Sequence, residues 1–399
     1  MIRQNFDSTI QDFLLDWTEF TKSANRQKSG SFVMRFYRYL QIKRQLKRFA
    51  KKLPTIEAIN LSDFKDDLEL KKLIQMWLQF DINHMDQTVQ GNYVAVTEQF
   101  INRVKASWPD MKQASIFQAL RNVWIMIAIQ IMGEKTIELS DSMFAYSMLY
   151  PLTDNIIDDP ELNESEKITF VKRFGERLNG KALDPISTHE KDVFNMVSLI
   201  ESQYDRALFP EVYESILLIH EAQVNSLSQQ YGTLSEYEIL QLSFNKGASS
   251  VIADGYLVLG KLDYDLFKFL TGYGIVLQLA DDLQDMKSDA EVGHKTVFSI
   301  AKCESIREQL IEKLENLSQL ILLDMPCSNS ILRGQLIALL EKSMTFLMHD
   351  AIHMHKKQFS SAFYKSVNRA HITGLKNHDK LKRRCENIAK QLGYEPLEH

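Results

Sequence analysis

Tyr273-Gly-Ile-Val-Leu-Gln278-Leu-Ala-Asp281-Asp282-Leu-Gln-Asp285-Met-Lys-Ser-Asp289-Ala-Glu-Val-Gly293-His-Lys295-Thr296 begins as an apolar run and ends in carboxylates. At helical spacing Asp281 and Asp285 share one face with Gln278, and Asp282 and Asp289 flank it. A helix this apolar starts inside a core, so its acids emerge at the core's edge. Crowded carboxylates repel, and removing such ions from water is costly unless an opposite charge offsets it. A divalent cation provides that charge directly. Gly293 ends the segment, and Lys295 follows in a loop.

Two further stretches extend the pattern. Ser140-Asp-Ser-Met-Phe-Ala-Tyr-Ser-Met-Leu-Tyr-Pro-Leu-Thr-Asp154-Asn-Ile-Ile-Asp158-Asp159-Pro160 has an N-cap serine, an apolar body, and two acids four residues apart. Ser147 and Tyr150 extend that acidic face, and Pro151 predicts a kink beside it. Taken alone, Asp158-Asp159-Pro160 also reads as an ordinary helix terminus. In Leu242-Ser-Phe-Asn-Lys246-Gly247-Ala-Ser-Ser-Val-Ile-Ala-Asp254, Gly247 permits a local break and close approach by a ligand, which would let Lys246 reach a phosphate oxygen. The other reading of Lys246 is a plain surface lysine.

Oxygen ligands without His or Cys suit Mg²⁺ or Mn²⁺, and Mg²⁺ completes its shell with water and phosphate oxygens. The metal candidates are therefore Asp154, Asp158, Asp281 and Asp285, with Asp159, Asp282 and Asp289 behind them. Lys246 and Lys295 are the diphosphate-binding candidates. The spacing does not fit an EF-hand, and the chain lacks a P-loop, a dinucleotide-binding glycine pattern and a zinc-protease motif. His220, His294 and the group His349, His353, His355 have no triad partner and read as structural or exposed.

The surrounding 399 residues support an all-α fold. Only 15 Gly and 8 Pro punctuate the chain, so its elements are long and its turns few. Apolar residues recur at helical spacing, as in Ser305 to Leu317, and a long helix is expected from about Lys112 to Met132. Another is expected over Leu68–Phe80. Breaks are expected at Gly133, Asp159-Pro160, Asn179-Gly180, Phe209-Pro210, Gly232, Gly260, Gly293 and Met325-Pro326. Residues 1–109 read as an N-terminal helical extension, 110–396 as the catalytic helical domain, and 397–399 as a tag remnant.

A net charge of −5 provides no global field for nucleic acid. Cys303, Cys327 and Cys385 have no metal-type spacing. With no secretory core at the N-terminus, they read as reduced thiols in a cytoplasmic protein. The apolar run Val123–Ile129 is too short to span a bilayer. Residues 35–52 carry many Lys and Arg and no acid over a rough apolar stripe. That segment reads either as a helix lying on an anionic membrane or as a solvated basic face.

Together these segments resemble the class I isoprenoid synthase superfamily over about residues 110–345. Gln278-x-x-Asp281-Asp282-x-x-Asp285 followed by Gly293-x-Lys295 is similar to the second aspartate-rich motif of trans-prenyltransferases. Asp154-x-x-x-Asp158 looks like the DxxxD motif of squalene/phytoene synthases, and Lys246 stands where that superfamily places a diphosphate-binding lysine on a broken helix. The resemblance implies a helical bundle in which an allylic prenyl diphosphate, the small-molecule substrate, is ionised with Mg²⁺, and in which the residue roles are metal and diphosphate binding. Phe117, Trp124, Phe144, Tyr150, Phe244 and Tyr256 are candidate cavity walls, or plain core. Two family features are missing. No Arg-Arg pair closely follows the first motif, the nearest basic pair being Lys172-Arg173. A Gly-Gly-Lys-Arg segment is also missing around Lys112–Arg121. These departures count against ordinary chain elongation and leave terpene cyclisation and head-to-head or other prenyl-transfer chemistry open. A non-catalytic helical scaffold is the alternative, and a homodimer is open.

Overall fold

The computed structural model describes residues 2–20, 26, 29–52, 72, 76, 87–157 and 163–391, and the fold is all-α. The chain opens with α1 (Ile2–Glu19) and α2 (Phe32–Lys52), followed by α3 (Gln87–Ser107), α4 (Gln113–Met132), α5 (Asp141–Ile157) and α6 (Glu164–Leu178). Next come α7 (Thr188–Gln203), α8 (Pro210–Ser226), the single turn α9 (Ser228–Tyr231), α10 (Glu236–Leu259), α11 (Tyr264–Gln284) and α12 (Met286–Val292). The chain closes with α13 (Glu304–Leu323), α14 (Ser330–Met354), α15 (Ser361–Ala370) and α16 (Leu375–Gln391). Of the expected helix over Leu68–Phe80 only Lys72 and Met76 are described, and both are helical; the expected break at Asp159-Pro160 and the 397–399 segment lie outside the described residues.

Local chemistry places the ends where the sequence puts its breaks. Ser140 caps α5 by accepting from the Met143 amide at 3.2 Å. Pro210 opens α8 at the first helical turn, where its missing N–H costs nothing. Ser235 and Glu238 form a capping box at the start of α10, and Gly260 closes that helix in the left-handed conformation. Pro151 lies inside α5, which continues through it as one helix.

α10 and α11 form a central antiparallel pair joined by the short Gly260–Asp263 connection. They cross where Gly247 meets Gly274. A Cβ added to Gly274 would lie 2.7 Å from the Gly247 carbonyl carbon and 2.9 Å from Ala248 Cα. This is a correction to the expected role of Gly247. The helix does not break there. The missing side chain instead allows two backbones to touch.

α4, α5 and α8 pack on α10, while α13 and α14 pack on α11. α1 joins the same core through Ile10, Phe13, Leu14 and Trp17, and α3 through Val96, Phe100 and Val104. Among the described residues only α4 is long and apolar enough to cross a membrane, and its Val123, Met126 and Ile127 are fully buried in this core. Tyr39, Ile42, Leu46 and Leu381 form a second, small core that joins α2 to α16.

Candidate functional site

The crossing at Gly247 and Gly274 sets the geometry of the acidic segment. One turn beyond it, Ser243 Oγ on α10 donates to Asp282 Oδ2 at 2.7 Å, and Gln278 Nε2 donates to Asp282 Oδ1 at 2.8 Å. Asp282 is therefore the buried anchor of the segment, and Gln278 serves it rather than the Asp281–Asp285 face. Asp281 lies in the last turn of α11 and is half-buried. Asp285 stands at the junction where α11 stops and α12 begins. Asp289 follows in α12, also half-buried. No basic residue occupies the last turn of α11, where the helix dipole already disfavours negative charge.

The electrostatics show that these acids form one group with Lys246. Burial, followed by the charges of Asp282, Asp285 and Asp281, pushes the Asp289 carboxyl up to about 7, and Lys246 pulls it the other way. Burial pushes Asp282 up to about 6, against the bonds from Gln278 and Ser243 and the charge of Lys246. His294 is held below its usual range by burial and then by Lys246. The half-buried Lys246 on α10, next to the crossing, is thus within electrostatic reach of these carboxylates.

The raised Asp289 carboxyl has a measurable consequence. Its folded form holds the proton more tightly than the unfolded chain, whose aspartates ionise near 3.8. The stability it contributes is complete below that value and is lost as pH rises through about 7. In metal-free protein, the melting temperature of wild type relative to Asp289→Asn should fall from about pH 4 to about pH 7 and then level off. Thermal melts of both proteins across this range check it, and a flat difference would remove Asp289 from the coupled group.

Lys295 is placed differently. Its ammonium donates to the Gly232 carbonyl oxygen, its amide donates to Gln229 O at 3.1 Å, and Gln229 Nε2 donates to Lys295 O at 2.8 Å. The Gly293–Thr296 loop is thereby sewn to the α9–α10 connection.

The first acidic segment reaches the same end of the bundle by register. Ser142 Oγ donates to Leu257 O at 2.7 Å, and the Tyr146 hydroxyl to Ser250 O at 3.4 Å. α5 therefore runs antiparallel to α10. Its last turns, which include the backbone of Asp154, extend toward the level of Lys246 and Ser243. Asp158 and Asp159 lie outside the described residues, as does the side chain of Asp154. Ser147 accepts from Asn122 Nδ2 at 3.2 Å, deep in the core, and the exposed Tyr150 does not share that environment.

Among the proposed wall residues, Phe144, Phe244 and Tyr256 are buried, whereas Phe117 and Tyr150 are exposed. Phe144 packs on Phe100 and Trp108, Phe244 meets Trp17 edge-on, and Trp124 Nε1 donates to Thr97 Oγ1 at 3.1 Å.

Sequence reasoning overlooked Ser243; it read His355 as structural or exposed, and His355 is buried and structural. Ser243 stands three residues before Lys246, and that spacing was the available signal. His355 bonds the Gln284 carbonyl at 2.8 Å, beside the α11–α12 junction, and so braces the acidic turn from the end of α14. No local pattern announces that contact. His349, His371 and His378 are also buried, and burial holds all three imidazoles below their usual range.

Among the described residues, no three His, Cys, Asp or Glu side chains converge on one cation position. No family model matches the chain, and no curated protein does. Among solved structures, the crystal structure of geranyltransferase from Legionella pneumophila is similar at 15% identity and a TM-score of 0.37, across 66% of this chain and 98% of that one. A likeness of that size says nothing about the reaction.

Proposed function

We propose that this protein is a Mg²⁺-dependent class I isoprenoid synthase that ionises an allylic prenyl diphosphate, by terpene cyclisation or head-to-head coupling. The observation that carries this reading is the group formed by Asp281, Asp282, Asp285 and Asp289 within electrostatic reach of Lys246 beside the Gly247–Gly274 crossing. Such a group destabilises a protein that has no use for it, because mutual repulsion and burial both oppose its charge.

The donor set fits the cation. All its oxygens are carboxylate, which suits Mg²⁺, an ion that takes one or two carboxylates and fills its shell from water and phosphate. Asp281 and Asp285 would hold one side of it. Asp154 and Asp158 would hold the other, at the bundle end to which α5 leads. Bound there, the cation supplies Lewis-acid stabilisation of the departing diphosphate.

The chain's own groups do the remaining work. Asp282, locked by Ser243 and Gln278, fixes the orientation of the last turn of α11. His355 holds the same turn through its backbone. Lys246 brings a positive charge to where negative charge develops as the allylic C–O bond breaks and the diphosphate leaves with the electron pair. Lys295 would join it after exchanging its Gly232 partner for a phosphate oxygen.

The second reading, a non-catalytic helical scaffold, draws on that same engagement of Lys295 by Gly232. The two readings part in one experiment. Geranyl, farnesyl and geranylgeranyl diphosphates are each incubated with the protein, with and without isopentenyl diphosphate, in Mg²⁺ and EDTA arms. Diphosphate release and the mass of the organic product are read. Mg²⁺-dependent release from one allylic substrate alone is expected. Release only with isopentenyl diphosphate would make the protein a chain-elongating enzyme. No release, together with no Mg²⁺- and diphosphate-dependent rise in melting temperature, would leave the scaffold reading.

A further inference from the structure

The basic N-terminal helix presents an unusual face. α2 carries eight Lys and Arg over Phe32–Lys52 and no acid, in a chain whose net charge is −5. Two of those cations are engaged locally. Arg35 is buried and donates to the Asn368 carbonyl, and Arg38 donates to Ser29 O at 2.7 Å. Lys43, Arg44, Lys47, Arg48 and Lys51 remain exposed along one face.

The first turns of the helix extend that face with apolar side chains. Phe32 and Val33 are each 72% exposed, Tyr37 is 53% exposed, and Met34 and Phe36 lie in the open as well. Soluble chains seldom gather large apolar side chains at one surface spot without something to cover them. The opposite face, through Tyr39, Ile42 and Leu46, fixes α2 on Leu381 of α16, so the exposed face has a defined orientation.

We infer that the exposed face of α2 docks on an anionic lipid bilayer. Phe32, Val33, Phe36 and Tyr37 enter the headgroup–acyl boundary, and Lys43 to Lys51 lie across the lipid headgroups. Charge complementarity selects an anionic partner, and the aliphatic and aromatic end selects a lipid over a nucleic acid. Basic residues alone would bind both, but Val33 and Met34 have no stacking surface for bases.

The test is flotation of the full chain with vesicles of phosphatidylcholine alone and of phosphatidylcholine with phosphatidylglycerol, at low and high salt. Because it reads no turnover, its result is independent of the proposed reaction. The chain should float with the anionic vesicles only. K43E/R44E/K47E/R48E should weaken that binding by about 100-fold or more. F32S/V33S/F36S should weaken it by about tenfold or more and remove the part that survives high salt. Both variants should melt as wild type does, since the changed side chains are exposed. Failure to float, equal binding to neutral vesicles, or binding indifferent to both variants would overturn the inference. So would tighter binding to transfer RNA than to anionic vesicles, or a sedimenting dimer that the variants dissociate.

Discussion

Asp281→Asn is expected to lower Mg²⁺-dependent diphosphate release by about 10²- to 10³-fold, the range seen when one preorganised charge-stabilising group is removed. The same change should leave the metal-free protein as stable as wild type or more so. Asp281 is half-buried in the last turn of α11, with no basic neighbour in that turn and with like charges that it helps to push up, Asp289 among them. Removing its charge relieves that repulsion, and the amide keeps the shape. Function and stability therefore move in opposite directions, as they do where a site is held against the preference of the fold. A structural role for Asp281 predicts lost stability instead. Steady-state diphosphate release and thermal melts on the same preparations decide the matter, and normal turnover in the variant would remove Asp281 from the metal site.

Gly274→Ala should have the larger effect on folding. The new methyl would sit 2.7 Å from the Gly247 carbonyl carbon and 2.9 Å from Ala248 Cα, and neither is a flexible side-chain tip that can rotate away. The two central helices would have to separate, at a cost of about 3 kcal/mol, the upper end for an overpacked core. Separation also pulls Ser243 from Asp282 and Lys246 from the carboxylates, so surviving protein should turn over poorly. Gly334→Ala is the control. It lies in the interior of α14 with nothing within 4 Å of its added Cβ, so it should stabilise by about 1 kcal/mol through helix propensity. Denaturant melts of the two variants should move in opposite directions. Equal shifts would mean that the crossing tolerates a side chain.

Particular residues show how much was legible beforehand. The helices could be read because their signals are local. Ser140, Pro210, Gly260 and Gly293 each end or begin an element through their own backbone chemistry. The apolar body of α11 and the acids that follow it also lie within one stretch, so a carboxylate group at the edge of the core could be read from spacing. Gly247 was misread for the converse reason. A glycine before a small-residue run has the same local signature whether it breaks a helix or admits a neighbouring backbone, and the neighbour here, Gly274, is far away in the chain. Gln278 was likewise paired with the wrong face, because i to i+3 and i to i+4 spacings are both available to it and the bond from Ser243 selects Asp282.

The sequence by itself determined that the protein is all-α, where most of its described helices start and stop, and that carboxylates cluster at the end of a buried helix. Each of these follows from periodicity, capping and polarity within a turn or a few turns. Only the tertiary structure decided that Lys246 comes near those carboxylates, that α5 runs toward the same end of the bundle, that Lys295 is held by Gly232, and that His355 braces the acidic turn. Those pairings depend on the register and crossing of helices distant in sequence. That register is set by close packing at positions such as Gly247 and Gly274, and local patterns carry no record of it.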